Sequence, residues 1–166
     1  MVIYVGIDPG YTNLGTAILR GNRLRTQTIV LSGSLADRAF QIWYWITTAD
    51  ISRPRFIAIE YLDVGIKKLI VNLHTIPSVI SVYAKMHDIP IGLIRPQVHK
   101  RYLAGPEKAN YPDLYYENIQ SILKKEGIKW LDEPLNPGWH DYDAVGILLT
   151  ARDIQNKTHD GKFEIL

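Results

Sequence analysis

Cysteine is absent from the 166 residues of this chain. Its absence excludes disulfide bonds, thiolate zinc sites and cysteine nucleophiles, and it is compatible with a reducing compartment. Long apolar runs are missing as well, because no segment reaches the ~20 apolar residues that a membrane-spanning helix needs. The apolar run near the N-terminus is too short for a secretory signal and lacks a basic lead. We therefore expect a soluble, cytoplasmic protein that does not enter membranes.

A large excess of charge of either sign is also lacking. The 19 lysines and arginines nearly balance the 17 aspartates and glutamates, which leaves a formal net charge of +2. Any affinity for nucleic acid must therefore come from local basic patches. The hydrophobic fraction of 46% is that of an ordinary globular protein with its own core. Because no repeat, low-complexity tract or linker divides the chain, we predict a single domain over residues 1–166.

The first apolar run, residues 2–7, predicts a strand that is covered on both faces. It leads directly into Asp8 and a Pro-Gly pair, so that a carboxylate stands at the end of the strand. Taken alone, this arrangement is more typical of a simple turn than of a site. Residues 16–20 and 24–31 predict two further strands, joined by a hairpin turn at Gly21-Asn22. The three strands together predict an antiparallel meander.

A second buried strand, residues 56–60, ends in Glu60. A helix that begins near Leu35 connects it to the meander, and such a crossover places this strand parallel to the first. Neighbouring strands lie about 5 Å apart, so we expect Asp8 and Glu60 side by side at one edge of the sheet. Glu60 alone would be read as a surface charge at a strand exit. Beside Asp8, we interpret it as part of a site.

The remaining pattern alternates helices with one more strand. Residues 64–87 have helical spacing, and Pro77 within them predicts a kink or a break near Thr75. A fifth strand over residues 89–94 follows, and a helix over residues 112–125 comes later.

The last predicted helix begins near Trp139 and carries a third acid. His140 and Asp143 are three positions apart and share one helix face, whereas Asp141 points elsewhere. The helix dipole favours acids in a first turn, and we assign that capping role to Asp141. Asp143 instead lies on the face that meets the sheet. The predicted site at the sheet edge therefore consists of Asp8, Glu60, His140 and Asp143.

This set of side chains suits divalent cations. Crowded carboxylates repel one another unless a cation or a proton joins them, and hard oxygen ligands favour Mg²⁺ or Mn²⁺. Two such ions about 4 Å apart activate a water and stabilise the leaving oxygen of a phosphodiester. The pattern predicts hydrolysis without a protein nucleophile. His140 would bind an ion or transfer a proton.

The most basic stretch of the chain is residues 95–108. It contains one acid, Glu107, and its basic members are Arg95, His99, Lys100, Arg101 and Lys108. The composition fits equally well a solvated loop beside a short helix and a rim that binds phosphates.

Three motifs resemble, in order and spacing, those of the RuvC-type Holliday junction resolvases of the RNase H-like superfamily. They are Gly6-Ile7-Asp8-Pro9-Gly10, Ala58-Ile59-Glu60 and His140-x-x-Asp143-Ala144. Residues 95–100 and 106–108 are also similar to a segment in which that family carries lysines important for junction handling. The resemblance extends to about Ile154. It implies an α/β, RNase H-like fold: a mixed five-stranded sheet, with an antiparallel three-strand meander plus parallel strands, flanked by helices.

The resemblance also implies a function, that of a homodimer which cuts two opposed strands of a four-way DNA junction by metal-dependent hydrolysis. Mg²⁺, with Mn²⁺ as a substitute, would be held as two ions by Asp8, Glu60 and Asp143. His140 fits a position where the family carries either Asp or His. The expected DNA-binding residues are Tyr61, Lys100, Arg101 and Lys108.

Two positions depart from the family pattern. His99 stands where a family lysine is usual, which suggests that Lys100 has taken over its role. The family also places an aromatic wedge in the loop after the catalytic glutamate, where this chain offers only Tyr61 and Leu62. Tyr61 would serve as that wedge or pack into the core.

Three other functions compete with junction cleavage. The first is a nuclease of the same fold that acts on structured RNA, as in ribosomal RNA processing. The second is a sugar-kinase or actin-type ATP-binding fold, whose phosphate loop resembles residues 7–15; that fold needs two such domains, and 166 residues hold one. The third is a junction-binding module without catalysis, which the presence of all four candidate ligands disfavours.

Overall fold

The computed structural model describes residues 1–10, 12–61, 67–105, 112–131 and 139–157, with the backbone alone at 67–73, 112–113 and 139. Within these ranges the strands are β1 (Ile3–Pro9), β2 (Asn13–Arg20), β3 (Arg23–Val30), β4 (Phe56–Glu60), β5 (Ile91–Ile94) and β6 (Lys129–Trp130). The helices are α1 (Leu35–Thr48), α2 (Lys67–Met86), α3 (Pro96–Ala104), α4 (Pro112–Lys125) and α5 (Trp139–Lys157).

The strands form one mixed sheet in the order β5-β4-β1-β2-β3-β6. β1, β2 and β3 are the antiparallel meander, and β4 and β5 continue the sheet parallel to β1. The predicted α/β architecture, a mixed sheet with an antiparallel three-strand meander plus parallel strands, is confirmed, with one strand more than the five expected. The additional strand, β6, is two residues long and pairs in parallel with the start of β3. A segment this short has no periodicity that a sequence pattern can reveal.

The first strand is longer than predicted and includes the first candidate acid. Asp8 pairs with Gly15, and Pro9 pairs with Leu14, so that β1 and β2 remain hydrogen-bonded past the expected end at Ile7. Asp8 therefore belongs to a strand and not to a free turn. Its backbone is paired with β2, and this pairing fixes the position from which the carboxylate side chain extends.

Helices cover both faces of the sheet. On one face, α1 and α2 bury aliphatic side chains such as Ile46 and Ile80 against Ile7 and Ile59. On the other face, α3, α4 and α5 pack with β2 into a second core. Each buried aliphatic side chain contributes about 1.5–3 kcal/mol to the free energy of folding. The sheet is therefore packed against helices on both faces.

Two helix predictions had different outcomes. Helix α1 begins at Leu35 as predicted, and Ser34 and Asp37 form a reciprocal capping box there, with the Asp37 amide 3.3 Å from the Ser34 hydroxyl. In contrast, of the kink or break predicted near Thr75, the break is wrong, because α2 continues through Pro77 as one helix. Ile76 and Ile80 on either side of it are buried in the core, and their packing outweighs the ~3 kcal/mol that an internal proline costs.

The helices over the described ranges include none with the length and apolar character required to cross a membrane.

Candidate active site

The first two candidate acids lie on neighbouring strands at the same edge of the sheet. β1 and β4 pair in parallel with Ile7 opposite Ile59, so that Asp8 and Glu60 both occupy the next position. The two side chains are largely buried, with 7% and 9% of their residue surface exposed. Burial is the main cause that raises the pKa of Asp8, and the charge of Glu60 raises it further. Both carboxylates are thus set where the sequence predicted.

Helix α5 reaches these acids because glycines allow it to lie directly on the sheet. A Cβ added to Gly6 of β1 would overlap with the carbonyl oxygen of Ala144, and one added to Gly15 of β2 would overlap with that of His140. These are backbone atoms of α5, which have little freedom to move aside. The first turns of α5 are therefore in close contact with β1 and β2.

His140 makes the direct link between α5 and β1. Its Nδ1 lies 2.5 Å from Oδ2 of Asp8, and its side chain is about one-third exposed at 36%. The hydrogen bond to Asp8 is the main cause that raises the pKa of His140, and nearby acids add to the effect. The imidazole therefore carries a proton more readily than a free histidine does.

Asp143 lies one helical turn after His140 and faces the same group of charges. Burial is the main cause that raises its pKa. The positive charge of Lys100 lowers the pKa, and the negative charges of Asp8 and Glu60 raise it. Asp143 therefore interacts electrostatically with both strand acids and with Lys100. Strand pairing and a hydrogen bond bring Asp8, Glu60 and His140 together, and Asp143 is linked to them by these longer-range interactions.

The acid next to them has a different role. Asp141 is buried, and its Oδ1 accepts a hydrogen bond of 2.7 Å from the hydroxyl of Thr28 on β3. Its side chain therefore ties the start of α5 to the meander, a long-range contact that the predicted capping role did not anticipate.

The prediction that His99 belongs to a basic, solvent-exposed rim is wrong. Its side chain is fully buried. Its Nε2 lies 2.7 Å from Oε2 of Glu60, and its Nδ1 lies 2.8 Å from the hydroxyl of Tyr115 on α4. The sequence pattern predicts no role for Tyr115. The helical spacing of His99 with Leu103, which is buried on the same face of α3, is the sequence signal that identifies this position as internal.

The structure describes three of the four expected DNA-binding residues. Lys100 is half-buried and interacts electrostatically with Asp143, and Arg101 is exposed on α3. The ring of Tyr61 packs at 5.2 Å from that of His74, so it contacts α2. Leu62 and Lys108 are outside the described residues.

The donor set fits Mg²⁺ or Mn²⁺ in its chemistry, since it offers three carboxylates and one imidazole. In the ranges that the structure describes, no three or more of the His, Asp and Glu side chains already form a metal-binding cluster. They form two pairs instead, Asp8 with His140 and Glu60 with His99. Burial is the main cause of the raised pKa values of Asp8 and Asp143, and the negative charges of neighbouring acids raise them further.

By sequence, the chain matches no protein-family model and no curated protein. By structure, T. thermophilus RuvC in complex with a Holliday junction substrate aligns with a TM-score of 0.75 at 19% identity, over 95% of this chain and 97% of that one. The chain has the RuvC fold. A second T. thermophilus RuvC structure aligns with a TM-score of 0.74 at 21% identity, over 94% and 96% of the two chains. The yeast mitochondrial Holliday junction resolvase Ydc2 gives 0.56 at 14% identity, over 89% and 75%.

Proposed function

We propose that this protein is a metal-dependent endonuclease that resolves four-way DNA junctions. The observation that supports the proposal is the position of Asp8 and Glu60 on neighbouring strands of a RuvC-fold sheet, with His140 hydrogen-bonded to Asp8 and Asp143 one turn further along the same helix. The proteins that share this fold include RuvC in complex with a Holliday junction substrate and a mitochondrial Holliday junction resolvase. The predicted chemistry and the fold neighbours thus support the same activity.

The carboxylates of Asp8, Glu60 and Asp143, together with the His140 imidazole, would hold Mg²⁺ or Mn²⁺, with two ions per site. When bound, the ions supply a polarised water and stabilise charge on the leaving oxygen of the phosphodiester. The chain itself supplies buried, prepositioned oxygens, because the β1–β4 pairing fixes Asp8 and Glu60 side by side. Burial raises the pKa values of Asp8 and Asp143, and repulsion between the acids raises them further, so a cation at this position would be favoured.

His140 has two roles in this proposal. Its contact with Asp8 shows that it reaches the same carboxylate that an ion would use. To ligate an ion, His140 would have to release its ring proton to solvent; as a proton carrier, it would instead protonate the departing oxygen of the phosphodiester. His140 is therefore placed either to ligate an ion or to transfer a proton at this position.

The basic side chains would hold the DNA backbone beside the acids. Lys100 interacts electrostatically with Asp143, which puts a cation at the border between the metal ligands and the solvent. Arg101 and Lys108 would extend the positive surface along the phosphates, and Tyr61 would contact the bases near the branch point. Two opposed cuts require two such sites, so we propose a homodimer with twofold symmetry, which light scattering in solution tests.

The experiment is cleavage of a synthetic four-way junction labelled in turn on each strand. The protein is incubated with Mg²⁺, Mn²⁺ or EDTA, and linear duplex DNA and structured RNA serve as competing substrates. We expect paired nicks on opposed strands of the junction with either ion and none with EDTA. A preference for RNA would replace this proposal by the RNA-processing alternative, and cleavage that survives EDTA would remove the metal site.

A further inference from the structure

We propose that His99 and Tyr115 are positioning residues that hold the Glu60 carboxylate in place as a metal ligand. The inference rests on the proposed function, since it gives Glu60 its role, and it adds two residues to the site. Neither touches the substrate or an ion in this account. They act through Glu60.

The geometry is a chain of two hydrogen bonds through a buried ring. His99 has no exposed surface, and its two ring nitrogens lie 2.7 Å from Glu60 Oε2 and 2.8 Å from the Tyr115 hydroxyl. The Glu60 carboxylate only accepts hydrogen bonds, so Nε2 of His99 carries a proton and donates to it. Burial raises the pKa of Tyr115 well above 10.0, so its hydroxyl keeps its proton and can donate a hydrogen bond to Nδ1. Such a hydrogen bond favours the tautomer that binds Glu60.

The hydroxyl of Tyr115 occupies a space that the fold keeps open for it. A Cβ added to Gly146 of α5 would overlap with that hydroxyl and would lie 2.7 Å from Cζ of the same ring. Gly146 belongs to the helix that carries His140 and Asp143. The position of Tyr115 is therefore matched to α5 as well as to His99, so one packed unit joins the residues of β4, α3, α4 and α5.

The consequence for Glu60 is a fixed side chain with one oxygen engaged. The hydrogen bond to Nε2 uses Oε2, and it leaves Oε1 for other ligands. Without it, a largely buried carboxylate oxygen loses its donor and the side chain gains rotational freedom. Partners of this kind are common around metal ligands, and their loss typically lowers metal affinity or activity by about 10- to 100-fold.

The test measures Mn²⁺ affinity directly, by calorimetry and by electron paramagnetic resonance of free Mn²⁺, in the full-length protein without DNA. For H99Q we expect a dissociation constant raised by about 10- to 100-fold. For Y115F, which removes one oxygen atom, we expect a rise of about 2- to 10-fold from the loss of one hydrogen bond. The matched control is Y102F, because the Tyr102 hydroxyl contacts Asp153 and Lys157, which are not among the proposed metal ligands. The Mn²⁺ affinity of Y102F should equal that of the wild type.

A second readout separates positioning from general support of the fold. Raising the Mn²⁺ concentration should restore junction cleavage by Y115F to the wild-type maximum, whereas a loss of folded protein would not be recovered in this way. Wild-type Mn²⁺ affinity in both variants, with only a lower melting temperature, would overturn the inference. If H99Q does not fold, the Mn²⁺ affinity of Y115F alone tests the inference.

Failure of the proposed function is distinguishable from failure of this inference. If the wild type binds Mn²⁺ but leaves junctions uncut, junction resolution is wrong and the relative affinities of the variants still decide the role of His99 and Tyr115. If the wild type binds no Mn²⁺, both are overturned.

Discussion

Nδ1 of His140 lies 2.5 Å from Oδ2 of Asp8, although 132 positions of the chain separate the two residues. This contact joins the first strand of the sheet to its last helix at the edge where Glu60 also ends its strand. It brings a partly exposed imidazole to a buried carboxylate. The site therefore depends on the complete fold, and changes in the packing of α5 should affect it as much as changes in the acids themselves.

Replacing Asp8 by Asn should abolish cleavage and leave junction binding in EDTA within about twofold, because the basic side chains remain. A metal ion contributes several kcal/mol to the transition state, so we expect a loss of about a thousandfold or more in rate. Single-turnover cleavage and fluorescence anisotropy measure the two effects. The matched control is Asp50→Asn, which removes an exposed acid that pairs with Arg20 and should cut normally. Normal cleavage by the Asp8 variant would show that the site is misplaced.

Gly15→Ala should destabilise the protein and weaken Mn²⁺ binding together, because the new methyl group overlaps with the backbone of His140. Overpacking of this kind typically costs about 1–3 kcal/mol, which chemical denaturation measures. The control is Gly127→Ala, where φ is +65° and the space is open. That variant should be destabilised by backbone strain, about 1–2 kcal/mol, with unchanged Mn²⁺ affinity. The same Mn²⁺ affinity in the Gly15 and Gly127 variants would contradict the proposal that the Gly15 contact positions α5 and its ligands.

The stabilisation of the protein by Mn²⁺ should increase with pH. The pKa values of Asp8 and Asp143 are raised above 3.8 and that of His140 above 6.5, so protons compete with the cation for these groups. Each group binds the ion in its deprotonated form, and deprotonation in the folded state is completed only as the pH passes the raised pKa. The Mn²⁺-induced rise in melting temperature should therefore be small near pH 5 and large near pH 8, the range over which histidine titrates.

The same pKa shifts determine how these groups change the stability of the protein with pH in EDTA. A raised pKa in the folded state means that the folded protein binds more protons than the unfolded chain, so these groups stabilise it fully below their unfolded pKa values. That contribution is lost as the pH rises through the folded values, first for the carboxyl groups and then for His140. Without Mn²⁺ the contribution of this cluster should therefore fall with pH, opposite to the trend with the ion. A wild-type Mn²⁺ effect that is independent of pH would contradict the assignment of these ligands.

Lys100→Ala should weaken junction binding and reduce the slope of log affinity against log salt by about one, as expected for the loss of one phosphate contact. It should also raise the pKa of Asp143 further, because Lys100 now lowers it, and carbon-detected NMR titration follows that change. Lys129→Ala is the control, since this exposed lysine lies on β6 opposite Arg23, at the far end of the meander. Lys108→Ala is likewise predicted to weaken junction binding and reduce the salt slope. An unchanged salt slope would make these lysines ordinary surface residues.

The residues that sequence reasoning located share one property, namely that their chemistry follows directly from local pattern. Asp8 and Glu60 each end an apolar run, and such runs identify central strands without tertiary information. His140 and Asp143 are three positions apart on one predicted helix. Each of these side chains was therefore fixed by a single element plus the rule that parallel strands end at the same edge.

The residues it missed depend on contacts between elements. His99 lies between Lys100 and other basic residues, so its composition indicated a surface rim, whereas its partners Glu60 and Tyr115 come from β4 and α4. Nothing local distinguishes Tyr115 from the other tyrosines. Strand β6 has two residues and exists because β3 offers it a partner. Such features require the packed structure.

The measurement that tests the central claim most directly is anomalous diffraction from crystals of the protein soaked in Mn²⁺. The account predicts a manganese peak coordinated by Asp8, Glu60 and Asp143, with His140 released from Asp8 or bound to the ion. A map without manganese at that edge, with these side chains still apart, would contradict it.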